Sequence, residues 1–152
     1  MVRISPYYPG IEKKLFEVFR SAITQVCSKD YSEEQIKAWA PVQYEHAKWK
    51  KRIDAIKPFV ATIDGEVVGY ADIQNDGYID HFFVSGSCQA RGVGRALMNE
   101  LLSQKINGEK AYSNVSITAK PFFEKHGFKV LTENVVQIRD IDLVNFTMER
   151  NL

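Results

Sequence analysis

From Val84 to Ala96 the chain reads Val-Ser-Gly-Ser-Cys-Gln-Ala-Arg-Gly-Val-Gly-Arg-Ala, and no other stretch combines residue types and spacing so suited to chemistry. A strand-like run ends, a polar loop turns, and a helix begins with Gly92 and Gly94 in its first turn. The first N–H groups of a helix have no intrahelical acceptor and sit at the positive end of its dipole, so this geometry offers backbone donors to an anion such as phosphate. Gly92 and Gly94 would let the chain approach the ligand without an intervening side chain, while Arg91 and Arg95 could add charge-assisted contacts. The same pattern also describes a tight strand-to-helix turn whose glycines serve packing alone. Rival phosphate motifs fail: a G-x-G-x-x-G pattern would put its third glycine at Leu97, and no G-x-x-x-x-G-K-[ST] is present.

Few other residues offer chemistry by position. His46 and His126 have no partner at ligand spacing, so no metal site can be assembled from them. Cys27 and Cys88 form neither C-x-x-C nor a disulfide framework, and Cys88 reads as a small loop residue. His81 points to the opposite strand face from Asp80 and reads as a satisfied or exposed histidine.

The elements that must position these residues follow from periodicity. Ile11, Leu15, Val18, Phe19, Ala22, Ile23 and Val26 recur at helical spacing. Ser32 and Gln35 have the form of a capping box, so a second helix is predicted from Ser32 to Ala40, closed by Pro41. A third runs from Tyr44 to Ile56. The period then changes: Phe59 to Ile63, the turn Asp64-Gly65 and Glu66 to Ile73 form a hairpin, and Asn75-Asp76-Gly77 leads into a strand from Tyr78 to Val84. The glycine-bearing helix follows, with Gly108 placed just past its end. Then come a strand from Tyr112 to Thr118, a short helix from Lys120 to His126, and closing strands near Phe128 to Thr132 and Asp142 to Glu149. Their mutual register is open.

At 152 residues, 45% hydrophobic and 26% charged, with no linker or repeat, the chain suits one compact domain. A net charge of +1 argues against nucleic-acid or anionic-membrane partners, and no signal peptide or apolar run of spanning length is present. A reducing cytoplasm fits the two cysteines.

The stretch Gln89-Ala90-Arg91-Gly92-Val93-Gly94 resembles the Q/R-x-x-G-x-G/A signature of the GNAT N-acetyltransferase superfamily, at the family's spacing past the strand residue Val84. The segment from Ala119 to Phe128 is similar to that family's A-x-x-F-Y-x-x-x-G-F segment. Tyr31-Ser32, Trp39-Ala40 and Ile117 to Glu124 look most like a bacterial YafP-like branch. The resemblance covers essentially the whole chain, residues 1–152, as a single N-acetyltransferase domain. It implies an α/β fold with a mixed, mostly antiparallel sheet flanked by helices. That sheet splays between its fourth and fifth strands, here Tyr78 to Val84 and Tyr112 to Thr118, with acetyl-CoA in the gap.

On that resemblance, acetyl-CoA is the cosubstrate and an amine is the acceptor, attacking directly within a ternary complex. The pyrophosphate would rest on the backbone of Gln89, Ala90, Arg91, Gly92, Val93 and Gly94, with Arg95 adjoining. Pantetheine would pair with main chain at Phe82, Phe83 and Val84, and Phe122, Phe123 and Ser116 would line the cleft. Two departures matter: Phe123 stands where the family often has a tyrosine that protonates the leaving thiolate, and Ser116 stands where it often has asparagine. Ser116 through a water is the remaining acid candidate. Asp80 and Tyr78, two apart on one strand, face the same side, which the resemblance implies can be the acceptor side; Asp80 is the candidate base, Tyr78 being a weaker one. A strand carboxylate bonded to a neighbouring loop is the other reading of Asp80. Tyr31, Trp39, Tyr44 and Trp49 lie where the family covers its acceptor pocket, one or two of them lining it. The alternative function is a non-catalytic acyl-CoA binding or sensing domain. Dimerisation is common among similar proteins, so a homodimer is an expectation with no interface legible here.

Overall fold

A residue pattern that leaves the first six positions unassigned hides a strand, because Val2 and Ile4 alternate with Arg3 and Ser5 over too short a run to stand out. In the computed structural model, which describes residues 1–152, this is β1 (Val2–Pro6), paired antiparallel with β2 (Phe59–Ile63). β2 turns back into β3 (Glu66–Ala71) through Asp64 and Gly65, both at positive φ (51° and 82°), the two-residue turn whose twist matches that of the strands it joins.

The strand expected from Tyr78 to Val84 is broken. Asp72, one residue past β3, is fully buried, and its Oδ1 accepts the backbone N–H groups of both Asp80 (3.1 Å) and His81 (2.6 Å). A carboxylate thus substitutes for a strand partner, and the chain divides into β4 (Tyr78–Ile79) and β5 (Phe82–Val84). β4 pairs in parallel with β6 (Lys110–Ser116), whereas β5 pairs antiparallel with β3. Two half-sheets result, β1-β2-β3-β5 and β4-β6-β8-β7, which part between β5 and the end of β6. This is the mixed, mostly antiparallel, splayed sheet that the resemblance implies.

Helices cover both faces. α1 (Glu12–Gln25) and α3 (His46–Ile56) bury Leu15, Val18, Ile53 and Ile56 against Val60 and Tyr70. α4 (Val93–Leu102) packs Val93, Leu97, Met98 and Leu101 against Ala61, Ala71, Ala111 and Met148. Between α1 and α3, α2 (Glu33–Trp39) starts with the capping box expected: Ser32 Oγ accepts from Gln35 N (3.1 Å) and Gln35 Oε1 from Ser32 N (2.8 Å). α5 (Lys120–Lys125) carries Pro121 in its first turn.

Two boundaries need correction. α4 ends at Leu102 with Ser103 as its cap, so Gly108 does not terminate it; a Cβ on Gly108 would lie 2.6 Å from the Asp76 carbonyl oxygen, and the glycine instead lets the chain close on the turn before β4. The closing strands, β7 (Lys129–Ile138) and β8 (Ile141–Asn151), are far longer than their predicted cores. They pair antiparallel from Ile138↔Ile141 to Lys129↔Glu149, with a bulge between Val130 and Thr132, and turn through Arg139 and Asp140 at φ 48° and 65°, without the glycine that usually betrays such a turn. No helix is long and apolar enough to cross a membrane.

Candidate active site

Antiparallel pairing decides which edge of β5 is free. Ser85 N donates to Val68 O (2.8 Å) and Asp72 N to His81 O (3.1 Å), so residues 81, 83 and 85 turn their main-chain groups toward β3. By alternation Phe82 and Val84 turn theirs into the gap facing β6. Val84 O is taken there by Gln89 Nε2 (2.9 Å), which leaves Phe82 and the Val84 N–H available to an extended, amide-bearing ligand.

A cleft of about 600 Å³ occupies this gap. Every residue expected around the cosubstrate lines it except Arg91, whose guanidinium leans on Cys88 Sγ (3.9 Å). Gly92 caps α4 at φ 82°, no side chain caps the helix, and a Cβ there would meet nothing within 4 Å. Its backbone angle, not crowding, is what demands glycine. The helix bonding begins only with Ala96 N to Gly92 O, so the N–H groups of the first turn point unpaired into the loop. Gly94 serves differently from expectation: a Cβ there would lie 3.0 Å from the Phe122 ring, so its bareness seats α5 against α4. Gln89 Nε2 donates back to Val84 O and Ser85 O, so a phosphate meets the main-chain N–H of this residue and not its side-chain donors. Lys29, Arg95 and Lys125 stand at the walls as cations, of which Lys29 alone lies outside the two segments singled out in the sequence. Uncapped helix donors ringed by cations fit a polyanionic cosubstrate such as the pyrophosphate portion of acetyl-CoA.

Deeper in the cleft chemistry thins out. Phe123 is 2% exposed and packs edge-on against Phe82 and Phe128, with no proton to donate. Ser116 Oγ accepts from Ala119 N (3.0 Å), which leaves its hydroxyl hydrogen free to bond elsewhere. Cys27, unexpected in this wall, is buried, and burial pushes its thiol pKa up.

A second cleft, of about 730 Å³, opens beyond Phe19. Phe83 faces the first cleft and touches the rings of Phe19 (4.9 Å) and His81 (5.7 Å), which line the second, so one layer of rings separates the two. Tyr44 stacks on Phe16 at 3.6 Å, and Trp49 meets Phe16 edge-on at 5.0 Å. Trp49 Nε1 donates to Glu12 O (2.7 Å), fixing the indole with its polar edge satisfied. Trp39, Tyr44 and Trp49 all line this cleft; Tyr31 does not, because its hydroxyl donates to Val144 O (2.6 Å) and accepts from Ile117 N (2.9 Å), tying the start of α2 to β6 and β8.

The break at Asp80-His81 upsets the parity argument for this wall. His81 is in the second cleft, 8% exposed, with Nδ1 bonded to the Tyr70 hydroxyl (3.0 Å). Burial pulls its pKa down to about 4, while burial raises that of Asp72 to about 6. Asp80 lines neither large cleft; its Oδ2 accepts from Arg52 Nη2 (2.8 Å), and Arg52 does line the second. Tyr78 packs on Tyr112 (5.1 Å) away from both clefts, its phenol pKa raised by burial and by the charge of Asp80. Strand alternation, valid only while a strand stays regular, had paired Tyr78 with Asp80 and set His81 apart.

Comparison with known proteins agrees with this architecture. The family profile described as "Acetyltransferase (GNAT) domain" matches residues 27–150. The N-acetyltransferase YafP of Escherichia coli (strain K12) is 35% identical over 97% of this chain and 94% of its own. A crystal structure of a GCN5-related N-acetyltransferase from Rhodopseudomonas palustris superposes with a TM-score of 0.93 at 31% identity, covering 99% of this chain and 95% of that one. At fold level, the PaiA N-acetyltransferase of Thermoplasma acidophilum, solved in complex with coenzyme A, superposes with a TM-score of 0.74 at 20% identity over 100% of this chain and 99% of its own. With a splayed sheet, a glycine-started helix at the splay and relatives matched along nearly their whole length, the chain belongs to the GNAT acetyltransferase family.

Proposed function

We propose that this acetyltransferase uses acetyl-CoA to acetylate an amine by direct attack within a ternary complex. The observation that carries the reading is the pair of clefts backing onto Phe83, which lets a cosubstrate and an acceptor meet across one layer of rings. The uncapped start of α4 holds the pyrophosphate, with Arg95, Lys29 and Lys125 nearby, while Phe82 and Val84 hydrogen-bond the pantetheine amides. Acetyl-CoA supplies the thioester carbon; the amine nitrogen bonds to it, the carbon–sulfur bond breaks, and the amine proton must leave.

For that proton we place Asp80 as acceptor through a water: its Oδ2 is held by Arg52, and its Oδ1 has no protein partner. Ser116 is the remaining donor to the thiolate, Phe123 having none. Coenzyme A titrates near ~8.5 by analogy with cysteine and so leaves without much help. The missing hydroxyl at Phe123 favours one rival reading, a domain that binds acyl-CoA without turnover.

A thiol-release assay across an amine panel decides between them, since a sensor binds acetyl-CoA and releases no coenzyme A. Asp80→Asn is expected to lower kcat by about a hundred-fold at neutral pH, with partial recovery at alkaline pH, where solvent deprotonates the amine. A raised KM with an unchanged pH profile would reduce Asp80 to an anchor for Arg52.

A further inference from the structure

We propose that the second cleft, where Arg139 and the edge of His81 meet an aromatic wall, selects an amine that carries a carboxylate beside an aromatic body. Aromatic α-amino acids and aminobenzoates are the simplest members of that class. The proposal rests on the transferase reading for the fate of the amine but not for the binding it describes.

The polar lining is one-sided. Of the three cations facing the cleft, Lys48 is paired with Glu45 (3.0 Å) and Arg52 with Asp80 (2.8 Å). Arg139 has only a carbonyl partner: Nη1 donates to Ala38 O (2.5 Å), which fixes the guanidinium and leaves its positive charge without a carboxylate. No free carboxylate lines the cleft to balance it, Glu45 being committed to Lys48. A plain cationic amine would meet net positive charge there, whereas a carboxylate would complete the arrangement.

His81 adds a donor of defined direction. Tyr70 is fully buried and its hydroxyl has no partner except His81 Nδ1, so the hydroxyl donates and the ring hydrogen resides on Nε2. Nε2 has no protein partner and is not sealed from solvent, so its N–H is presented to the cleft. Burial holds the imidazole neutral, so Nδ1 keeps accepting from Tyr70 and Nε2 remains the one ring donor across the physiological range.

The rest of the wall is aromatic and rigid. Tyr44 is stacked on Phe16, Trp49 is pinned through Nε1 to Glu12 O, and Phe19 carries the ring layer toward Phe83. Such rings bury an aryl group with little loss of their own freedom.

The chain has two tryptophans, Trp39 and Trp49, and both line this cleft, so intrinsic tryptophan fluorescence reports its occupancy without turnover. The wild-type protein is titrated with L-phenylalanine, 2-phenylethylamine, L-alanine and 4-aminobenzoate. L-phenylalanine is expected to bind about ten-fold or more tighter than either 2-phenylethylamine, which lacks the carboxylate, or L-alanine, which lacks the ring. A response to 4-aminobenzoate by competition with L-phenylalanine would extend the class to aryl amines, and its absence would confine it to α-amino acids. In Arg139→Ala the preference over 2-phenylethylamine is expected to shrink to within about three-fold, with Arg139→Lys intermediate and acetyl-CoA affinity unchanged in both. Equal or tighter binding of 2-phenylethylamine, no response to any probe, or a preference surviving Arg139→Ala would overturn the proposal. Coenzyme A release with unrelated amines in those cases would leave the transferase reading standing.

Discussion

At Gly92 one backbone angle serves both fold and ligand. The residue sits at φ 82°, where an L side chain costs about 1 kcal/mol and aspartate is among the better tolerated. A Cβ there enters open space, so Gly92→Asp can fold while placing a carboxylate against the uncapped N–H groups of α4. We expect acetyl-CoA binding to weaken by about 2 kcal/mol or more, measured by calorimetry, because the new charge competes for those donors and repels the phosphates. Unchanged affinity in a folded variant would show that the loop does not hold the pyrophosphate. The loop was legible in the sequence because its chemistry is local: glycine spacing, helix start and neighbouring arginines lie within a dozen residues. His81 and Arg139 were not, since nothing near either residue in the sequence shows that a strand will break or that a hairpin tip will reach the cleft.

Among the elements, the split between β4 and β5 decides how the site is built, and one side chain makes it. Asp72 has no exposed surface and holds two backbone N–H groups with Oδ1 and Gln74 Nε2 (2.6 Å) with Oδ2. Asp72→Ala would leave those donors buried and unpaired, at a cost of about 2 to 4 kcal/mol. Its titration sets up a sharper test. The folded pKa of about 6 lies above the ordinary 3.8, so its contribution to stability is fullest at low pH and is lost as pH rises through 6. His81 runs the other way: with a folded value of about 4 against 6.5, its contribution is present above 6.5 and lost as pH falls toward 4. The two slopes oppose one another between pH 4 and 6. Asp72→Asn removes the first and leaves the second, so its urea midpoint should fall more steeply from pH 6.5 to 4 than the wild type's. Parallel profiles would mean that Asp72 does not hold a proton in that window. Elements with strong local signals, such as the capping box at Ser32 and the turn at Asp64-Gly65, were readable from the chain. The length of the β7–β8 hairpin was not, because Arg139-Asp140 carries no glycine to mark the turn and strand pairing holds Arg139 at a positive φ it does not favour by itself.

On the scale of the whole molecule, the half-sheets are joined by β4–β5 continuity and by Asp72, just past β3, holding the N–H groups of Asp80 and His81, yet they part where Phe82 and Val84 face the gap. A cosubstrate bonded to β5 on one side and resting against Ser116 and α5 on the other would fill that opening and tie the halves together. Ligand that binds only the folded state stabilises it by RT ln(1 + [L]/Kd), about 2.7 kcal/mol at a hundred-fold excess over Kd. For a chain of this size each kcal/mol moves Tm by roughly 2 to 4 °C, so saturating acetyl-CoA should raise Tm by about 5 to 11 °C in one cooperative transition. The protection should be uneven: hydrogen exchange should slow most at Phe82, Val84 and the first turn of α4, whose N–H groups find acceptors only in the ligand, and least along β7, the edge of the far half-sheet. Uniform slowing of every amide would point to global stabilisation without a bridge across the gap. No shift in Tm at saturating concentration would remove acetyl-CoA from the cleft altogether.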